Sequence, residues 1–138
     1  MPIRYFSEES DFKIEHPRKT TAWINGAALK EKASIKAVSY IFCSDAFLLQ
    51  LNQNFLRHNT YTDIITFDYS SSKNALEGEI YISLDRIVEN AKKFKSTLDN
   101  ELHRVIIHGI LHLIGYKDKS KADKLLMRKK EDTYLSLR

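Results

Sequence analysis

Apolar residues recur along the chain with two periods, and the switches between them predict its elements. Residues 3–7 alternate as a first strand, and Pro17, at a helix-opening position, begins a segment that sets Trp23, Ile24, Ala27, Ala28 and Leu29 at helical spacing. Ile35–Cys43 is rich in β-branched and aromatic residues and predicts a strand. Ser44 can cap the next helix, with Asp45 in its first turn and Leu48, Leu51 and Phe55 as its apolar stripe. Beyond the polar loop Arg57-His58-Asn59-Thr60, residues 64–67 and 79–82 predict two further strands, separated by a serine cluster and Gly78. The strand-helix-strand order over residues 35–67 favours parallel pairing, and the short connection from Tyr69 to Gly78 favours an antiparallel neighbour.

Three helices follow. Ser83 can cap one carrying Leu84, Ile87, Val88, Ala91 and Phe94. The segment from about residue 99 to 114 differs, because residues 105–114 are apolar on every side except for two histidines; it should be the central, buried helix, ended by Gly115. Ser120 and Asp123 have the spacing of a capping box, opening a last helix through Leu125, Leu126, Thr133 and Leu137. The expected fold is therefore α/β (α+β): a single domain over residues 1–138 with a mixed, mostly parallel four-stranded sheet covered by helices.

Composition adds bounds to this pattern. The 138 residues, 43% hydrophobic and 29% charged, suffice for one core without staples. The one cysteine, Cys43, lies in an apolar stretch, reads as a small core residue and allows no intrachain disulfide. Without a signal-peptide pattern or an apolar run long enough to span a bilayer, the expectation is a soluble cytoplasmic protein with no membrane partner. The net charge of +4 is mild, but a local basic surplus lies between residues 117 and 132, where Lys119, Lys121 and Lys124 can form a phosphate-attracting rim or a plain solvated face.

The candidate chemistry lies on the central helix. Residues four apart project from one face, so His108 and His112 can bind one ion at about 2.0–2.1 Å. The alternative is two histidines satisfied by core hydrogen bonds, yet burying imidazoles without partners costs a few kcal/mol each (~1–3 by mutational scales). Gly109 between them costs about 1 kcal/mol relative to alanine, which points to a close approach by another backbone or a substrate. A zinc peptidase would carry glutamate at that position, so the peptidase reading fails there. Asp118, in the short loop between Gly115 and the Ser120 cap, can fold back as a third ligand and leave a position for water. Zinc suits this set, as do iron, manganese and nickel.

With these residues in place, His108-Gly109-Ile110-Leu111-His112-Leu113-Ile114-Gly115-Tyr116 resembles the signature of the YbeY family, metal-dependent endoribonucleases of bacterial ribosomal RNA maturation. The similarity extends through Leu51-Asn52, Thr62-Asp63-Ile64-Ile65-Thr66-Phe67 and Gly78-Glu79-Ile80-Tyr81-Ile82. It implies a zinc ion, one per chain, held at the two helix positions and at the position ten residues after the first. In the family that third ligand is usually histidine preceded by aspartate; here it is Asp118 preceded by Lys117. The family also places an arginine for a substrate phosphate in the loop after Leu51-Asn52, where counting gives Leu56, with Arg57 one residue later. The resemblance implies cleavage of RNA, with a preference for single strands, in ribosomal RNA processing and ribosome biogenesis, with ribosomal RNA or ribosomal particles as partners.

The expected chemistry is an ion that lowers the pKa of a bound water toward about 7 and polarises a phosphoryl oxygen. No second carboxylate near the histidines is evident in the sequence, so proton transfer would fall to Asp118, to the water itself or to the RNA 2′-hydroxyl. Two other readings stay open. One is a ribosome-assembly or RNA-binding module with a structural metal closed by a fourth ligand, His58 or Asp123; the other is a metal-dependent hydrolase of another substrate.

Overall fold

The computed structural model describes residues 2–56 and 62–138. Strand β1 (Ile3–Glu8) leads through α1 (Pro17–Lys30) to β2 (Ile35–Cys43), and α2 (Asp45–Leu51) runs into a π-helical turn, Asn52–Leu56. Then come β3 (Ile64–Asp68), β4 (Leu76–Ser83), α3 (Leu84–Lys93), α4 (Leu98–Ile114) and α5 (Lys121–Leu135). The sheet has four strands in the order β1-β2-β4-β3, with β1 and β4 parallel to β2 and only β3 antiparallel.

One topological expectation is corrected. The chain between β2 and β3 was expected to cross over and return parallel, but Ile64 at the start of β3 lies opposite Ile82, whose other neighbour is Phe42 near the end of β2. The two strands therefore meet at the same end of the sheet. Helix α2 has 7 residues, and at ~1.5 Å per residue it is too short to cross back over a strand of β2's length. The parallel crossovers are β1-α1-β2 and the longer path from β2 to β4, with β3 folded against the outer side of β4 as a hairpin arm.

The core lies between α4 and one face of the sheet. Tyr40, Phe42, Ile80 and Ile82 from the strands meet Ile106, Ile107, Ile110 and Leu111 of α4, all at most 1% exposed. The buried Tyr40 hydroxyl donates to the Ile106 carbonyl at 2.8 Å, so even this polar atom is satisfied inside the core. Gly109 sits where a Cβ would come within 2.9 Å of two carbons of the Ile80 side chain. The close approach it permits is thus to a side chain of β4, neither to a backbone nor to a substrate. On the opposite face of the sheet, Cys43, Leu48 and Ile65 form a smaller cluster under α2. Burial pushes the Cys43 thiol up to about 12, in keeping with a packing role.

The caps at Ser44, Ser83 and Ser120 form as expected, the last as a full capping box. Three apolar stripes shift. Phe55 is exposed because the π-helical turn after Leu51 advances the chain by about one residue more per turn and rotates it off the α2 face. Val88 and Phe94 lie at the open flank of α3. Helix α5 buries Met127, Glu131 and Tyr134 while Leu125, Leu126 and Leu137 stay exposed, because its packing against α4 selects a face that includes a carboxylate.

Candidate metal centre

The histidine pair is set by α4. One turn apart, the His108 and His112 rings lie 4.6 Å between centroids and 77° between planes. Gly115, with φ of 126°, ends the helix in a conformation side chains rarely adopt, and its N–H donates to the Leu111 and His112 carbonyls. The loop that follows brings Asp118 back over the histidines. Its Oδ2 lies 3.3 Å from Nε2 of His108 and 3.3 Å from Nε2 of His112. One donor atom from each of the three side chains falls within 4.8 Å of the others, a spacing one ion can share.

The loop is pinned at both ends. After Asp118, the Ser120–Asp123 capping box starts α5, and Asp123 is not among the described side chains whose donor atoms converge. Before Asp118, the Tyr116 hydroxyl donates to Glu31 Oε1 at 2.5 Å. Glu31, at the end of α1, also accepts from the Tyr134 hydroxyl and from Lys130 Nζ at 3.1 Å. Burial acts to raise the Glu31 pKa, but these three donors outweigh it and hold the carboxylate below its ordinary range.

Sequence reasoning missed Glu131. Its Oε2 lies 2.6 Å from Nδ1 of His108, and its Oε1 accepts from Arg104 at 2.9 Å. An N–H donated from Nδ1 to this carboxylate leaves the Nε2 lone pair of His108 facing His112 and Asp118, the tautomer a metal ligand needs. Burial lowers the His108 pKa, but the hydrogen bond to Glu131, aided by the charges of Glu131, Asp118 and Asp63, wins and raises it. The signal available was a glutamate four residues after Met127, hidden by the more apolar Leu125-Leu126 face.

A cleft of about 940 Å³ opens beside this group, lined by α4, β3 and Lys119. Asn52, Asp63 and Thr66 also line it. Burial pushes the Asp63 carboxyl above the ordinary carboxylate range, against the pull of His108. Two further carboxylates, Glu131 and Asp63, thus stand near the histidines where none was expected. Arg57 and His58 lie outside the described residues. Among the described residues no helix is long and apolar enough to cross a membrane.

Comparison with known proteins identifies the family. The family model described as "Endoribonuclease YbeY" matches residues 4–137. An endoribonuclease YbeY of Cytophaga hutchinsonii is 52% identical over 136 residues, covering 99% of this chain and 95% of that one. One from Bacteroides thetaiotaomicron is 43% identical over 138 residues, with both chains covered in full, 100% each. A solution structure from Thermotoga maritima superposes with a TM-score of 0.66 at 29% identity, covering 97% of this chain and 87% of that one.

Proposed function

The chain belongs to the YbeY family of endoribonucleases, and from that premise we propose that it is a zinc-dependent endoribonuclease that hydrolyses RNA phosphodiesters in ribosomal RNA maturation, in the cytoplasm. The observation that carries the reading is the convergence of two imidazole Nε2 atoms and one carboxylate oxygen, 3.3 Å from each nitrogen, at the wall of an open cleft.

His108, His112 and Asp118 would hold the ion. The set fits: two neutral imidazoles and one charge-neutralising oxygen, with His108 oriented from behind by Glu131. When bound, a divalent ion supplies Lewis acidity toward a phosphoryl oxygen and toward water. The remaining work falls to the chain itself. Asp118 or Asp63 takes up a proton at a carboxylate oxygen, and burial, which raises the Asp63 pKa, makes that carboxylate a readier proton acceptor than an ordinary one. Lys119 at the cleft, with Lys121 and Lys124 exposed on the first turn of α5, attracts the phosphates of the strand. Arg57, which follows the loop position of the family arginine, would add a phosphate contact.

The cleft that opens beside the three converging donors supports a catalytic site over a structural one. The test is cleavage of structured and single-stranded RNA by zinc-loaded protein, set against His108→Ala and a chelated control. Cleavage by the chelated protein, or equal cleavage by His108→Ala, would overturn the reading.

A further inference from the structure

Strand β3 is an edge of the sheet, and its free side borders the cleft of the candidate site. The Ser83 N–H bonds the Asp63 carbonyl, and the Tyr69 N–H bonds the Glu77 carbonyl. In an antiparallel ladder main-chain groups alternate in direction, so residues 63, 65, 67 and 69 face β4 while Ile64, Thr66 and Asp68 present theirs to the open edge. The Ile64 carbonyl is taken by the Thr62 hydroxyl at 3.2 Å. Among the described residues, the N–H and C=O of Thr66 have no strand beyond them.

Thr66 carries a second observation. Its hydroxyl is the one buried side-chain oxygen or nitrogen with no hydrogen-bond partner among the described residues. Burying such a group without a partner is ordinarily unfavourable, and valine would fill the same volume on a strand without that cost. The residue as a whole is only half-buried and lines the cleft, so a change of rotamer about its Cα–Cβ bond is the step that would bring the hydroxyl to the cleft. A ligand group in the cleft would then complete it.

The chemistry of the edge says which group. Asp63 and Asp68 flank Thr66 on the same cleft wall, and their carboxylates repel a phosphate. An N–H, a C=O and a hydroxyl at one residue instead match a partner that both donates and accepts. On an RNA strand that is the ribose 2′-hydroxyl, the group that distinguishes RNA from DNA. We propose that Thr66, with its free main-chain groups on the β3 edge, is a ribose subsite that reads the 2′-hydroxyl of a nucleotide flanking the scissile bond. This rests on the endoribonuclease reading above. It divides the cleft into a basic side at Lys119 for phosphates and a cation-free strip on β3 for sugars.

The experiment uses zinc-loaded protein, a short single-stranded RNA that it cleaves, and copies of that RNA with one 2′-deoxy nucleotide at each flanking position in turn. Wild type is expected to lose about tenfold in kcat/KM at one flanking position, the size of one hydrogen bond. Thr66→Val should show that loss with the all-ribose strand, no further loss with the deoxy strand, and a melting temperature equal to or above wild type. Thr66→Ser should restore both activity and discrimination. Wild type indifferent to every flanking 2′-deoxy substitution overturns the proposal, and this result does not depend on any variant folding. So does a Thr66→Val protein that discriminates as wild type does, or one that melts early, because the hydroxyl would then have a structural partner. Wild type that cleaves no RNA at all instead overturns the function reading on which the subsite stands.

Discussion

Glu131 and His108, twenty-three residues apart in sequence, are joined by a 2.6 Å hydrogen bond from the imidazole Nδ1 to a carboxylate that is itself held by Arg104. The bond aims the other ring nitrogen at His112 and Asp118. Glu131→Gln keeps the shape but removes the charge, and is expected to weaken zinc binding by about 10–100-fold. Competition with a chelator of known affinity measures it; unchanged affinity would mean that the helix alone orients His108.

Asp118 supplies both a donor atom and the one negative charge of the proposed ligand set. Asp118→Ala should therefore lower metal affinity by more than Glu131→Gln does, and Asp118→His should restore it. An alanine variant with full metal content after dialysis would remove Asp118 from the set.

The Glu31–Tyr116 contact makes stability depend on pH. The Glu31 pKa is held below the ordinary value of 4.5 in the folded protein. The folded state therefore binds the proton less readily than the unfolded one. The stabilisation is fully present above the unfolded value and is lost as pH falls through the folded one. Urea unfolding should show Glu31→Gln as destabilised at neutral pH, with a gap to wild type that narrows below about pH 4.5. A gap constant down to pH 3 would overturn the assignment. Tyr116→Phe should share the direction at neutral pH, and should also lower metal affinity because it frees the start of the Asp118 loop.

RNA affinity should fall steeply with salt, and alanine at Lys119, Lys121 and Lys124 together should flatten the slope by up to about 2 in log–log units, since a lysine that pairs with a phosphate of a single strand displaces ~0.7 counterion. The substituted residues are exposed, so melting temperature should stay put. An unchanged slope would return this stretch to plain solvated surface.

Elements whose determinants are local were legible in the sequence. Ser44, Ser83 and Ser120 cap the helices they were expected to cap, and β2 spans Ile35–Cys43 as its β-branched and aromatic run indicates. The pair His108 and His112 was legible because a helix fixes the relation of residues four apart whatever surrounds it. Asp118 could be placed for the same kind of reason, since a glycine stop and a serine cap leave the loop few paths.

What the chain alone did not disclose depends on the approach of segments distant in sequence. The antiparallel pairing of β3 with β4 was legible from the short connection between them, but that β3 would not return parallel to β2, and would expose its outer edge to the cleft, follows from how far a seven-residue α2 reaches. The face α5 buries could not be taken from its leucines, because the face packed inward carries Met127, Tyr134 and Glu131, the last paired with Arg104 and His108, while Leu125 and Leu126 stay exposed. Asp63 enters the site only because β3 lies beside α4. Periodicity records which residues prefer to leave water, a property of one segment. Which carboxylate ends beside which imidazole is a property of two, and it is decided when the helices and the sheet pack.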